Sequence, residues 1–148
     1  MTTLAGKTAL VTGASRGIGR ATALALAKQG AQALVHYAAS AAEAEEVVAQ
    51  IRAAGGQAEA VGVDLSAPDA PHKLAAQVRR IVGDRLDILV ANAGVAKSVS
   101  IEETTVEDFD RLRIGTWRHH RNRAMTEIGE IARTGTTIGG SPSPRRLF

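Results

Sequence analysis

The stretch "TALVTGASRGIGRATALALAKQG" (8–30) constrains this chain more than any other. "TALVT" (8–12) is a short β-branched apolar run, the pattern of a strand buried on both faces. Gly13, Gly17 and Gly19 follow at once, and "RATALALAKQG" then reads as a helix with Gly30 at its C-terminal stop. Glycines at such a junction let the backbone turn sharply and approach a pyrophosphate closely. The helix start adds free N–H groups and the positive end of its dipole. The spacing is G-x-x-x-G-x-G and not the commoner G-x-G-x-x-G, and a glycine triplet alone also fits a plain turn. Here the strand before it and the helix after it supply the context that cofactor binding requires.

The alternation continues. "ALVHY" (33–37) reads as a second strand. Ser40 with Glu43 predicts a capping box, after which Ala44, Val47, Val48 and Ile51 share one helical face and Gly55-Gly56 ends the helix. "AEAVGVD" (58–64) is a third strand, weakened by Gly62. Leu74, Val78, Ile81 and Val82 fall at helical spacing, and "DILVANAG" (87–94) is a fourth buried strand. Thr105-Val-Glu-Asp108 has the form of a further helix cap. Strand–helix repeats of this length favour right-handed crossovers and a parallel sheet covered on both faces. The predicted fold class is α/β, the front half of a doubly wound, Rossmann-type sheet, truncated after the fourth strand and the helix that follows.

Composition sets the outer bounds. A chain of 148 residues fits one domain with a single core. No run approaches the roughly 18 apolar residues of a membrane span, and the N-terminus lacks the form of a secretory signal. With no cysteine, disulfides and cysteinyl metal sites are excluded, and a cytoplasmic location is the default expectation. The net charge of +3 is unevenly placed. Residues 1–112 hold 11 Lys+Arg against 13 Asp+Glu, whereas residues 113–148 hold 7 Arg and only Glu127 and Glu130. Two domains are therefore read: a truncated dinucleotide-binding domain over 1–112, and a basic, poorly ordered tail over 113–148.

Three motifs, "TGASRGIG" (12–19), "VDLS" (63–66) and "ANAG" (91–94), together resemble the short-chain dehydrogenase/reductase family in order and separation, and "VEDFDRL" (106–112) continues in its style. The resemblance covers roughly residues 5–112. It implies an NAD(P)-dependent oxidoreductase acting on a small-molecule carbonyl or alcohol. The Gly13–Gly19 loop would hold the pyrophosphate and Asp64 the adenine amino group. Asn92, Ala93 and Gly94 would line the adenine-ribose side and stabilise the central sheet. Asp64 also fits a local turn, since "DLSAPD" can cap itself by side-chain hydrogen bonding; its place at a strand's carboxyl end favours the cofactor role.

Charge argues the choice of dinucleotide. A carboxylate after the second strand would bind a ribose 2′-hydroxyl and repel a 2′-phosphate. "HYAAS" (36–40) has none before Glu43. Arg16 can donate to a phosphate, and Ser40 can add a hydroxyl at a helix start. NADP is expected over NAD. The cofactor-binding set is Gly13, Ser15, Arg16, Gly17, Ile18, Gly19, Tyr37, Ser40, Asp64, Leu65, Asn92, Ala93 and Gly94, with no metal ligand.

The resemblance also implies a fifth strand ending in a catalytic Ser, then Tyr-x-x-x-Lys. The single tyrosine is Tyr37, the last lysine is Lys97, and no Tyr-x-x-x-Lys occurs. No catalytic residue is assigned, and the fourth strand is expected to stand as an exposed edge prone to aggregation. "RHHRNR" (118–123) beside Trp117 is too short and too poor in aromatics to favour nucleic acid, and adjacent His119 and His120 diverge on a helix. The loss of pattern at Leu112/Arg113, with a lysine-free, Arg/Gly/Thr-rich sequence beyond, suits a shifted reading frame. The alternatives are a non-catalytic NADP-binding protein and a non-functional product of a disrupted gene; oligomeric state and substrate are not legible.

Overall fold

The computed structural model describes residues 3–94, 105–107 and 136–138. The chain runs β1 (Thr8–Val11), α1 (Gly17–Lys28), β2 (Gln32–Tyr37), α2 (Ala41–Ala53), β3 (Ala58–Gly62), α3 (Ala70–Val82), β4 (Ile88–Val90) and β5 (Thr136–Ile138). The strands form one sheet in the order β3-β2-β1-β4-β5, every neighbouring pair parallel. This is the doubly wound order in which each helix crosses back over a sheet face. No helix among the described residues is long and apolar enough to cross a membrane.

Burial on both faces explains the unbroken apolar strands. Leu10, Leu34 and Leu89 pack with Val61, Leu74 and Val78 beneath α3. Val11 and Val35 point the other way, against Ala23 and Ala27 of α1 and Val47, Val48 and Ile51 of α2. The α2 face is the one its periodicity predicts, and in α3 Leu74 and Val78 are buried while Ile81 and Val82 pack at the margin. Gly19, Ala23 and Ala27 form the buried stripe of α1, and their small size lets that helix lie close to the sheet.

Two expectations are corrected. The Ser40–Glu43 capping box does not form: Ser40 is the N-cap of α2, yet its backbone (φ −86°, ψ 64°) leaves the side chain without a cap hydrogen bond. Oγ has no hydrogen-bond partner among the described residues. Nor is β4 an edge. Thr136–Ile138 pairs beside it, with Ile88 opposite Thr136, Leu89 opposite Thr137 and Val90 opposite Ile138. The physical reason lies in "GTTIGG" (135–140), three β-branched residues between glycines, meeting an edge that offers unpaired N–H and C=O groups. The helix expected from Thr105 onward lies outside the described residues beyond Glu107, as does the basic stretch at 113–135.

At the amino end of the sheet, buried Asp87 ties the start of β1 to the approach of β4. It accepts hydrogen bonds from the Thr8 N–H (3.0 Å), Lys7 Nζ (3.2 Å) and Arg85 Nη2 (2.6 Å). Burial alone would raise its pKa, but these donors outweigh it and hold the carboxyl at about 2. The folded value lies below the ordinary 3.8, so the carboxylate contributes stability above that pH and loses it as pH falls toward 2. The gap corresponds to about 2 kcal/mol. Asp87→Asn should therefore lose about 2 kcal/mol at neutral pH and flatten the acid limb of stability measured by urea unfolding. Parallel acid limbs in the two proteins would show that Asp87 does not carry this term.

Candidate functional site

The carboxyl ends of β1, β2, β3 and β4 open into one cleft of about 400 Å³. In parallel open sheets this is where ligands bind, because helix starts and free strand-end groups converge there. Ten residues of the sequence-derived set line it: Gly13, Ser15, Arg16, Tyr37, Ser40, Asp64, Leu65, Asn92, Ala93 and Gly94. Gly17, Ile18 and Gly19 lie off the lining. Gly19 is buried beneath the loop, whereas Gly17 and Ile18 stand on the exposed start of α1, Ile18 with 79% of its surface open.

A polar lattice fixes the cleft floor. Thr12 Oγ1, fully buried, accepts the N–H groups of Asn92 and Ala93, each at 3.0 Å. The Asn92 side-chain amide donates back to the carbonyls of Thr12 (3.0 Å) and Gly13 (3.1 Å). The segment after β4 is thereby stitched to the loop after β1. Its closeness dictates the glycines. A Cβ on Gly13 would sit 2.8 Å from Ala93 Cα, and one on Gly19 would meet Asn92 Nδ2 at 2.6 Å and the Gly13 carbonyl oxygen. Gly17 has open space around it and needs glycine only for its φ of +57°. Gly19 thus serves internal packing, Gly17 backbone shape, and Gly13, with a φ of +63°, both.

The α1 start supplies donors. Arg20 N–H bonds the Arg16 carbonyl (3.2 Å), while the N–H groups of Gly17, Ile18 and Gly19 have no acceptor among the described residues. Three free donors at the positive end of a 12-residue helix suit an anion. Arg16 and Ser40 lie across the same cleft, with Ala38 and Ala39 between β2 and Ser40. Among the described residues no carboxylate stands at that strand end.

Asp64 makes the local turn. Its Oδ1 accepts the Ser66 N–H (2.9 Å) and hydroxyl (2.7 Å), and the Ser66 N–H, then its hydroxyl, lower the Asp64 pKa. Oδ2 has no partner among the described residues, so the turn does not consume the whole carboxylate. Gly62 is explained by Tyr37: a Cβ there would lie 2.6 Å from the Tyr37 hydroxyl, so the glycine that weakens β3 makes room for that ring.

His36 was not in the predicted set, yet it is buried at the centre of the site. Gly13 N–H donates to its Nδ1 (3.1 Å), Nε2 lies 2.8 Å from the Val63 carbonyl, and its own carbonyl accepts Ala14 N–H (2.8 Å). The available signal was a histidine near the end of a strand read as buried, a polar group that must find partners.

The family profile described as short chain dehydrogenase matches residues 7–114. The chain belongs to the short-chain dehydrogenase family. Versicolorin reductase 1 of Aspergillus parasiticus is 47% identical over 114 residues, which cover 76% of this chain and 43% of that protein. A hydroxynaphthalene reductase of Aspergillus fumigatus is 48% identical over 109 residues, covering 74% and 40%. Among solved structures, the landomycin C-6 ketoreductase LanV with bound NADP and rabelomycin aligns at TM-score 0.78 and 39% identity, over 89% of this chain and 54% of that one. A short chain dehydrogenase from Burkholderia cenocepacia in complex with NADP aligns at TM-score 0.73 and 39% identity, over 89% and 51%. The chain thus spans about half the length, or less, of these short-chain dehydrogenase relatives.

The two modes of glycine use can be separated. Gly17→Ala should cost only the left-handed backbone, about 1–2 kcal/mol. Gly13→Ala should add crowding against Ala93 of about 1–3 kcal/mol. Denaturant unfolding of both variants measures the difference. Equal losses would mean that the Gly13–Ala93 approach is not tight in solution.

Proposed function

We propose that this chain binds NADP(H) in preference to NAD(H), as the cofactor-binding portion of a short-chain dehydrogenase/reductase acting on a small-molecule carbonyl or alcohol. One observation carries the reading: Arg16, the residue that leads into α1, and Ser40 line one cleft, and among the described residues the Ser40 hydroxyl has no partner, no carboxylate stands at the end of β2, and the three N–H groups that follow Arg16 have no acceptor. The Gly17, Ile18 and Gly19 N–H groups would take the pyrophosphate, Arg16 and Ser40 the 2′-phosphate, and Asp64 Oδ2 the adenine amino group. Tyr37, Leu65 and Ala93 supply apolar walls, and Ser15, Asn92 and Gly94 border the ribose. Bound NADP in two aligned structures supports the choice of nucleotide. The cytoplasmic setting expected from the sequence is kept. We treat residues 1–112 as the cofactor unit and 113–148 as a tail of different origin that lends one strand.

When bound, the nicotinamide supplies the hydride chemistry. The protein must then supply a proton donor or acceptor at the reacting oxygen. By family resemblance that group is the tyrosine of Tyr-x-x-x-Lys, which these 148 residues do not contain. This absence favours a second reading, a non-catalytic NADP-binding protein, over an active reductase. A non-functional product of a disrupted gene would bind no dinucleotide at all.

Calorimetric titration of the 148-residue chain should give tighter binding of NADPH than of NADH, and Arg16→Ala should remove most of that preference. A charge-assisted contact of about 1.5–3 kcal/mol is roughly ten- to a hundred-fold in affinity. An unchanged ratio in the variant would take Arg16 out of the 2′-phosphate site. The same preparation should oxidise no NADPH above background with ketone or quinone substrates. Turnover would show that another residue moves the proton.

A further inference from the structure

We propose that His36 is the positioning residue of the dinucleotide loop, and that its neutral ring must hold Gly13 for cofactor to bind, which makes binding sensitive to acid. The proposal rests on the NADP(H) reading of the cleft. The geometry settles the tautomer: Gly13 N–H donates to Nδ1 at 3.1 Å, so Nδ1 carries no proton, and Nε2–H donates to the Val63 carbonyl at 2.8 Å. One ring thus bridges the ends of β1 and β3 from its place on β2. Its carbonyl also accepts Ala14 N–H at 2.8 Å. His36 therefore consumes the first two N–H groups of the loop, and an incoming phosphate is left with those at the start of α1.

Protonation would place a hydrogen on Nδ1 facing the Gly13 N–H, donor against donor, and the loop would have to release. Only 1% of His36 is exposed, so the ring itself has little access to water when it gains a charge. Burial pushes its pKa below 6.5, with the Val63 carbonyl pulling the other way. Among the described residues, Arg16 of the loop, Tyr37 on β2 and Asp64 after β3 share the cleft; β1 presents the uncharged Thr12. On the face of the sheet where Leu34 lies, α3 turns Ala70, Leu74 and Val78 inward and keeps His72 and Lys73 exposed. Because the binding-competent loop requires the neutral ring, affinity is full above the His36 pKa and falls as pH drops through it.

The test compares NADPH affinity of the full 148-residue chain and of His36→Asn across about pH 8 to 5. Asparagine can accept the Gly13 N–H but does not titrate in this range. The 2′-phosphate titrates near pH 6, but it does so identically for both proteins. The affinity ratio of wild type to variant should therefore fall toward about tenfold per pH unit below the His36 pKa. A ratio constant with pH would overturn the proposal even if both proteins bind well. Long-range proton–nitrogen NMR of the free wild-type chain gives a second reading that needs no variant and no ligand. It should find His36 as the Nε2–H tautomer, titrating below 6.5 together with the Gly13 amide signal. An Nδ1–H tautomer, or a Gly13 amide indifferent to the ring's titration, would equally overturn it. If the NMR result holds but no dinucleotide binds at any pH, the NADP(H) reading has failed and the role of His36 in holding the loop has not.

Discussion

Everything at the cleft depends on how the first strand ends. When β1 stops at Val11, the backbone groups of Thr12, Gly13 and Ala14 leave the sheet ladder and must be satisfied elsewhere. Three acceptors on two residues take up the N–H groups: the Val90 carbonyl for Thr12, the His36 ring for Gly13 and the His36 carbonyl for Ala14. Asn92 takes the carbonyls of Thr12 and Gly13. With its own polar groups spent inward, the turn is a rigid support. The free donors are displaced onto the start of α1. Each buried bond of this kind is worth only about 1 kcal/mol net, but leaving one unmade costs about 1–3 kcal/mol, so the members of the lattice depend on one another.

The sheet makes this lattice possible by bringing distant sequence together. Thr12 and Asn92 are 80 residues apart, yet the parallel pairing of β1 with β4 sets Val11 opposite Val90, and the two chain exits fall side by side. Asp87 performs the matching task at the opposite end of the same strand pair, anchoring Thr8. Register is therefore held at both ends of a very short β4, which needs such support. A three-residue strand has few ladder bonds of its own, and β5 is equally short.

Periodicity made the architecture legible. The four strands, the three helices and the helix faces could be read because burial on both faces of a parallel sheet demands apolar runs, and because each helix keeps a regular stripe. The glycine loop was legible as a junction, though not the reasons for its individual glycines, since the contact of Gly13 with Ala93 spans 80 residues of sequence. His36 was missed because its role lies in a tautomer and two strand-end partners, neither of which has a local pattern. The Ser40 capping box failed for the converse reason: the pattern was present, but the backbone at Ser40 took another shape. Thr136–Ile138 was hidden by its surroundings. A three-residue β-branched run means little until an unpaired edge is available to receive it.

A consequence of this layout is that holding a cofactor and using it are separable properties. The groups that could hold a dinucleotide come from the first 94 residues, at the ends of β1 to β4, and they are positioned by one another. Proton transfer needs a group of suitable pKa within hydrogen-bond reach of the reacting oxygen, and nothing in the lattice of Thr12, His36 and Asn92 can serve. His36 is the one titratable member, and both its ring nitrogens are already committed inside the protein. Tyr37, the single tyrosine, lies with its hydroxyl against Gly62 on the β3 side of the sheet. The contacts that support the cleft can thus be complete without any of their members being free to move a proton. Binding and turnover in this chain are therefore separate measurements, and neither stands in for the other.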